Sequence, residues 1–388
     1  MNRASTVAVI RSDRRRGAVA EALALIADDV RRVVAPDVLI KPNLVSHGRQ
    51  LPSTHADTLA ATLDAVLASG GRRVVVAEGA SDATAGFERF GFRRETIGRP
   101  VEYLDLNRDE ADWVPLELTG VDGSTRVARV SGTIASSPCR VSLALMKTHV
   151  TAMLTLGLKN MLSSVHPSDR IMMHGAAGGG NGYRGWKRPI VEFLKGDGPL
   201  VNALTRSIGR GRNLQALLAG KHRPEAWRHL KPAEVGYLRT VEAMNRNLVA
   251  LCSLVKPHLS VVDGFVAMHR EGPRHGTPIR LGTIVAGTDA VAVDAVAAAV
   301  MGFDPMGIGY LRYAHEAGLG VADLGSIAIV GDPIAAVARR CVPHSNHAIQ
   351  RHWDRLAELP GASRPASAVP APHLKPERIA TPSEAARR

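Results

Sequence analysis

Cysteine is almost missing from this sequence, with Cys139, Cys252 and Cys341 the only three among 388 residues. They lie far apart and form no CxxC pair, which excludes a disulfide framework and a cysteine-only zinc or iron–sulfur site. Reduced, buried thiols are the expectation. Aromatic residues are sparse as well, at 4%, so alanine, valine and leucine must fill the core. No uninterrupted apolar stretch reaches the length of a membrane span. The opening MNRASTVAVIRSD holds too short an apolar run for a signal segment. A cytoplasmic protein with no membrane partner follows as the expectation. There is no GxxxxGK[ST] phosphate loop, and the GxGxxG match at Gly180, Gly182 and Gly185 follows no strand, so it lacks the context of a dinucleotide fingerprint. His344, His347 and His352 do not have the HExxH spacing of a metal-binding helix.

Carboxylates are outnumbered, with 36 Asp and Glu against 49 Lys and Arg, for a net charge of +13. Such a balance suits nucleic acid, an anionic membrane surface or an anionic substrate. The basic residues scatter along the chain without interleaved aromatics or a recognisable binding module, so nucleic acid is not the expected partner.

What the chain does contain is a rhythm of short β-branched runs alternating with alanine- and leucine-rich segments of helical length. That is the signature of an α/β fold, a mostly parallel sheet with helices on both faces. Strands are expected at 6–10, 37–40, 73–77, 141–146, 259–263, 283–287 and 326–331, and helices at 18–27, 58–68, 152–163, 241–254 and 291–301. The rhythm spans a single domain over 1–340. It breaks at about 164–240, where a glycine cluster and basic helical pieces read as an inserted helical segment. Residues 341–388 form a C-terminal extension, expected to be disordered after about 360 because its proline and small polar residues cannot bury enough surface.

In open parallel sheets ligands bind beyond the carboxyl ends of the strands. Here those positions are polar: Lys41 and Asn43, Glu78, Lys147 and His149, Asp263, and Asp289. A loop start is often polar for no functional reason, but five together point to one rim. If 152–163 is helical, Thr151, Thr155 and Lys159 share one face of it and extend that rim. His55 follows Pro52-Ser53-Thr54, and His166 and His174 precede the glycine cluster; each is equally at home in a structural role. Asp289 fits the N-cap of the 291–301 helix. Asp294, inside that apolar helix, must pair with a lysine, cap a backbone or bind a cation. Direct ion pairing of the carboxylates is favoured by the lack of a tight carboxylate motif, and a divalent cation is the other arrangement the composition permits.

The segments IKPNLV, PSTHADTLAATLDAVLASGGRRVVVAEG, MKTHVTAMLTLGLKNML and VVDGFVAMHREGPRHGTPIRLGTIVAGTDAVAVDAVAAAVMG, in this order and spacing, resemble the family called domain of unknown function 362. The resemblance covers roughly 33–331. It carries Lys41, Asn43, Thr54, His55, Glu78, Lys147, His149, Lys159, Asn160, Asp263, Glu271, Gly272, Pro273, Asp289 and Asp294 as motif positions. The family is largely uncharacterised, and its iron–sulfur label derives from members with ferredoxin-like cysteine clusters. With three scattered cysteines this chain departs from that pattern, so no intrinsic iron–sulfur cluster is expected.

The leading functional expectation is an enzyme acting on a small anionic metabolite by acid/base chemistry, of isomerase, epimerase or lyase type. Lys41, Asn43, Thr54, Thr155, Lys159 and Asn160 would bind the substrate, with His149, His55, Lys147, Glu78 and Asp263 as the catalytic set. Two alternatives stand beside it: a ferredoxin-linked oxidoreductase that docks an acidic ferredoxin on its basic surface, and a non-catalytic anion-binding or scaffolding protein for which the same lysines suffice and the histidines are incidental.

Overall fold

The computed structural model describes residues 5–96, 98–109, 112–176 and 232–358. Their strands are β1 (Ser5–Arg11), β2 (Asp37–Lys41), β3 (Arg73–Glu78), β4 (Val101–Asp105), β5 (Trp113–Thr119), β6 (Thr125–Ser131), β7 (Cys139–His149), β8 (Met153–Thr155), β9 (Leu259–His269), β10 (Thr277–Ile279), β11 (Thr283–Gly287) and β12 (Ile327–Gly331). The main sheet runs β12-β1-β11-β9-β7-β2-β3-β4, with β8 folded back on β7 and β10 on β9. Along that path β11 runs against both neighbours, β1 and β9, and the other pairs are parallel. The fold is therefore α/β with a mostly parallel mixed sheet.

Central strands such as VSLALM at 141–146 are apolar almost continuously because helices cover both faces. One face packs Val38, Ile40, Val74, Val76, Val141 and Leu143 against the helices Arg15–Leu25 and Ala56–Ala68. The other packs Ala144, Met146, Val262 and Val285 against the helices Pro232–Val255 and Ala290–Val300 and against the separate antiparallel hairpin β5–β6. The helix Ala290–Val300 is buried nearly all round, which explains its lack of a polar face.

Three expectations need correction. Residues 152–163 are not one helix: β8 is followed by a single helical turn, Gly157–Asn160, and a 3₁₀ turn, Met161–Ser164. Met153 adopts φ 61° where the chain doubles back, and Thr155 pairs with Lys147 across the β7–β8 ladder. Threonine prefers such a strand to a helix. Second, β7 and β9 run on past 146 and 263, so Lys147, His149 and Asp263 stand on strands rather than in the loops after them. Third, β11 is antiparallel, which sends its carboxyl end, and with it Asp289, to the opposite rim from Lys41. Strands β4, β5 and β6 had no counterpart in the expected set.

Residues 341–358, read from the sequence as the start of an extension, lie against the domain. Cys341 N–H donates to Met301 O at 3.0 Å, Val342 O accepts from Arg270 N–H at 2.9 Å, and Trp353 Nε1 donates to Gly307 O at 2.9 Å. The expected disorder after 360, the helical pieces within 177–231 and the Gly180–Gly185 match lie outside the described residues. No helix among the described residues is long and apolar enough to cross a membrane.

Candidate anion site at the carboxyl edge of the sheet

Parallel β2, β3 and β7 end side by side, and this brings Lys41, Glu78 and Lys147 together from positions distant in sequence. Lys41 Nζ donates to Glu78 Oε2 at 2.9 Å, with both side chains fully buried. Glu78 also accepts from Leu44 N–H at 3.1 Å, Gly79 N–H at 2.7 Å, Ala80 N–H at 2.8 Å and the Ser163 hydroxyl. Burial works against its charge, yet Lys41 and the bonds from Ser163 and Ala80 hold the carboxyl below its ordinary range. Burial likewise lowers Lys41, in spite of the pull of Glu78. This pair is balanced in charge: Lys41 Nζ also reaches Pro42 O at 3.2 Å, and both carboxylate oxygens of Glu78 accept hydrogen bonds.

Beside it runs an amide ladder. Asn43 Nδ2 donates to Asn160 Oδ1 at 2.8 Å, and Asn160 Nδ2 reaches Lys41 O and Ser142 Oγ, each at 3.0 Å. Thr54 locks the 43–54 loop to the sheet, its hydroxyl accepting from Asn43 N–H and donating to Leu143 O, both at 2.8 Å. Asn43 Oδ1 in turn accepts from Lys147 Nζ, which also donates to Pro52 O at 2.7 Å. Lys147 is fully buried with only these two neutral acceptors.

Lys159 completes the departure from charge pairing. It stands on the Gly157–Asn160 turn, is 9% exposed, and has no hydrogen bond or ion pair with any described residue. Burial, with Lys41 nearby, pushes its amine down to about 8. Burial and the charge of Lys159 push Lys147 well below its ordinary value. His149 Nδ1 accepts from Thr151 N–H at 3.0 Å and Ala152 N–H at 3.1 Å, so the proton of the neutral ring sits on Nε2. Burial and the neighbouring Lys159, His174, His344 and Lys147 keep that imidazole neutral far below its usual titration range. His174 is pushed down to about 4 by burial and by Lys159. Thr155 is 4% exposed and its Oγ1 has no partner.

Other expected site residues go elsewhere. Asp263 faces the helical layer, accepting from Thr58 Oγ1 at 2.7 Å and Phe265 N–H at 2.8 Å and pairing with Arg15 Nε at 3.1 Å. His55 belongs with that group; it caps the helix Ala56–Ala68, its Nδ1 accepting from Asp57 N–H at 3.1 Å. Asp289 caps the helix Ala290–Val300 and binds Ser5 Oγ at 2.7 Å. Asp294 accepts from Gly157 N–H at 2.7 Å and Leu158 N–H at 2.9 Å, holding the turn that carries Lys159. Burial pushes Asp294 up to about 7 against the pull of those two donors. Among the described residues no group of three or more His, Cys, Asp or Glu is arranged to hold a metal ion.

Residues 38–299, more than half of the chain, match the family model described as domain of unknown function (DUF362). The chain belongs to that family. Over 116 residues this DUF362 protein is 31% identical to the thylakoid-associated protein sll1697 of Synechocystis sp. (strain ATCC 27184 / PCC 6803 / Kazusa), covering 30% of the chain and 34% of that relative. Among solved structures it is similar to the lactate racemase apoprotein of Thermoanaerobacterium thermosaccharolyticum, with a TM-score of 0.41 and 12% identity over 75% of this chain and 57% of that one. A Thermotoga maritima protein gives a TM-score of 0.40 at 11% identity, over 74% and 59%. The chain thus spans about a third of the curated relative and under two-thirds of either solved structure.

Sequence reasoning missed several residues of the site. Ser163 and Arg170, which brace Glu78 and the carbonyls of Gly79 and Ser163, lie beyond the quoted motifs. Gln350 donates to His149 O at 3.0 Å from far along the chain. Only the hydrogen-bonding demand of the exposed ends of β7 could have hinted at it.

Proposed function

We propose that this DUF362 protein is an enzyme that binds a small anionic metabolite and works on it by acid/base chemistry of the isomerase, epimerase or lyase kind. The observation that carries the reading is the pair of buried lysines, Lys147 and Lys159, that no described carboxylate neutralises. Burying an uncompensated charge is costly, and a bound oxyanion offsets that cost. Lys147, fixed by Asn43 and Pro52, supplies a rigid point charge. Lys159, titrating at about 8, has a useful fraction of free amine near neutral pH and serves as the general base. His149 offers a neutral Nε2–H to the oxygen on which charge develops, a donor rather than the base its sequence position suggests. A proton taken by Lys159 from a carbon beside a carboxylate or carbonyl can be returned to the other face or to a neighbouring atom, which is an epimerisation or an isomerisation.

The test begins with native mass spectrometry of protein purified from its own host, to identify a retained anion. That anion is then incubated with the protein in deuterium oxide. Solvent deuterium should enter it with the parent protein and not with Lys159→Met. An anion held with undiminished affinity by both proteins and never exchanged would make the protein a binder or scaffold instead.

A further inference from the structure

The charge and donor balance of the same site narrows its ligand, and the inference rests on the anion-binding reading above. Glu78 answers Lys41. Arg170 has Glu78 and Asp105 within electrostatic reach and three backbone carbonyls as acceptors. Among the described residues Lys147 and Lys159 are left without a carboxylate at pairing distance, and Arg274 adds positive potential at Lys147. Most of the polar atoms without partners around them, among the described residues, are donors, Gln350 Oε1 being an unpartnered acceptor nearby. Among the described residues Lys159 gives none of its N–H donors away, Lys147 has one beyond those given to Asn43 and Pro52, and His149 has Nε2–H. Thr155 adds a hydroxyl. Thr155 stands opposite Lys147 in the β7–β8 ladder, and cross-strand partners project to the same face. His149, two residues along β7, projects to that face too. A site rich in donors, with two surplus positive charges and a sequestered hydroxyl lacking a mate, complements an acceptor-only group.

We infer that the ligand is a dianion, held between Lys147 and Lys159 with Thr155 and His149 donating to its oxygens. Its two charges sit either on one phosphate group or on two carboxylates, and the arms of the test separate these sources.

Isothermal titration calorimetry on the full chain, at low salt and pH 8, decides it. Methyl phosphate is compared with dimethyl phosphate, and malonate and succinate with acetate. In one series at least, the dianion should bind at least about tenfold more tightly than its monoanionic counterpart, the gain from one further charge-assisted hydrogen bond. Titration in two buffers of different ionisation heat should reveal proton uptake on binding, since a bound dianion raises the amine of Lys159 and only the remaining free-amine fraction of the complex can act as the base. Both the preference and the uptake should vanish in Lys159→Met, and circular dichroism would confirm that this variant is folded. The preference in the parent protein is informative whether or not any variant folds. Monoanions binding as tightly as dianions would overturn the inference and leave the anion reading standing. No binding of either valence, together with no retained anion by mass spectrometry, would overturn both.

Discussion

Glu78 and Lys147 occupy the same buried neighbourhood and are equally sequestered, yet the fold treats them in opposite ways. Glu78 is surrounded by one lysine, one hydroxyl and three backbone N–H groups. Asp263 and Asp294 are similarly answered, by Arg15 and Thr58 and by the Gly157–Leu158 amides. Lys147 has two neutral oxygens, and Lys159 has no hydrogen bond or ion pair among the described residues. The difference teaches that these three buried carboxylates fasten neighbouring backbone or helices, whereas Lys147 and Lys159 meet no carboxylate at pairing distance among the described residues.

The largest effect expected from this contrast is on stability. Glu78→Ala leaves Lys41 buried without its counterion and should cost about 3–5 kcal/mol, read as a lowered urea midpoint. Lys147→Met removes a desolvated amine while stranding two acceptors, terms of opposite sign, so its stability should lie within about 2 kcal/mol of the parent. Equal losses in the two variants would break the comparison.

Asp294 sharpens it, because an architectural carboxylate should be felt through what it fastens. Asp294→Ala leaves the Gly157 and Leu158 amides without an acceptor, a loss of about 1–3 kcal/mol for each unsatisfied group, and should weaken anion binding through Lys159, which it never touches. Its pH dependence has a defined sign. The folded pKa of about 7 lies above the ordinary 3.8, so the folded protein holds the extra proton between these values. That contribution is complete below about pH 4 and is lost as pH rises through 7. The melting temperature of the parent should therefore fall relative to Asp294→Asn between pH 4 and 8, and a constant gap across this window would refute the assignment. The smallest effect is that of Thr155→Val. The hydroxyl has no partner to lose, so stability should change by less than about 1 kcal/mol. Anion affinity, by contrast, should fall measurably in the same titration. A stability loss without an affinity loss would place the hydroxyl in the fold and not in the site.

Much of the architecture was legible because buried parallel strands announce themselves as apolar runs, and β1, β2, β3, β11 and β12 lie close to where those runs are. The antiparallel turn of β11 was not legible, since periodicity carries no strand direction, and this misplaced Asp289 on the near rim. Asp263 failed for a related reason: alternation along β9 sets its face, and with Val261 and Val262 both buried the apolar pattern does not tell the two faces apart. The stretch 152–163 was ambiguous between helix and strand, as short apolar runs are. Gly157 resolves it only in three dimensions, where an added Cβ would lie 2.9 Å from Asp294 Oδ1 and 3.0 Å from Ser260 Oγ. Lys41, Asn43, Glu78, Lys147 and His149 were conspicuous as polar residues at the ends of apolar strands, whereas Lys159 was singled out on a helical face that the structure replaces with β8 and a short turn. Ser163, Arg170 and Gln350 were not, because nothing local marks a residue whose partner lies across the fold.

The place of β1 between β11 and β12 has a consequence for how the protein is made. β1 leaves the ribosome well before its neighbours, both of which lie beyond residue 280. At roughly 5–20 residues per second, the strand waits on the order of 14–55 s before its first ladder partner exists. For that time Val7, Val9 and Ile10 have no sheet to enter, and an unpaired apolar strand is a template for aggregation. The charges at its end and just after it, Arg11, Asp13, Arg14, Arg15 and Arg16, are of the kind that blunts such association. Their effect would be felt in the nascent chain, before any site exists to be occupied.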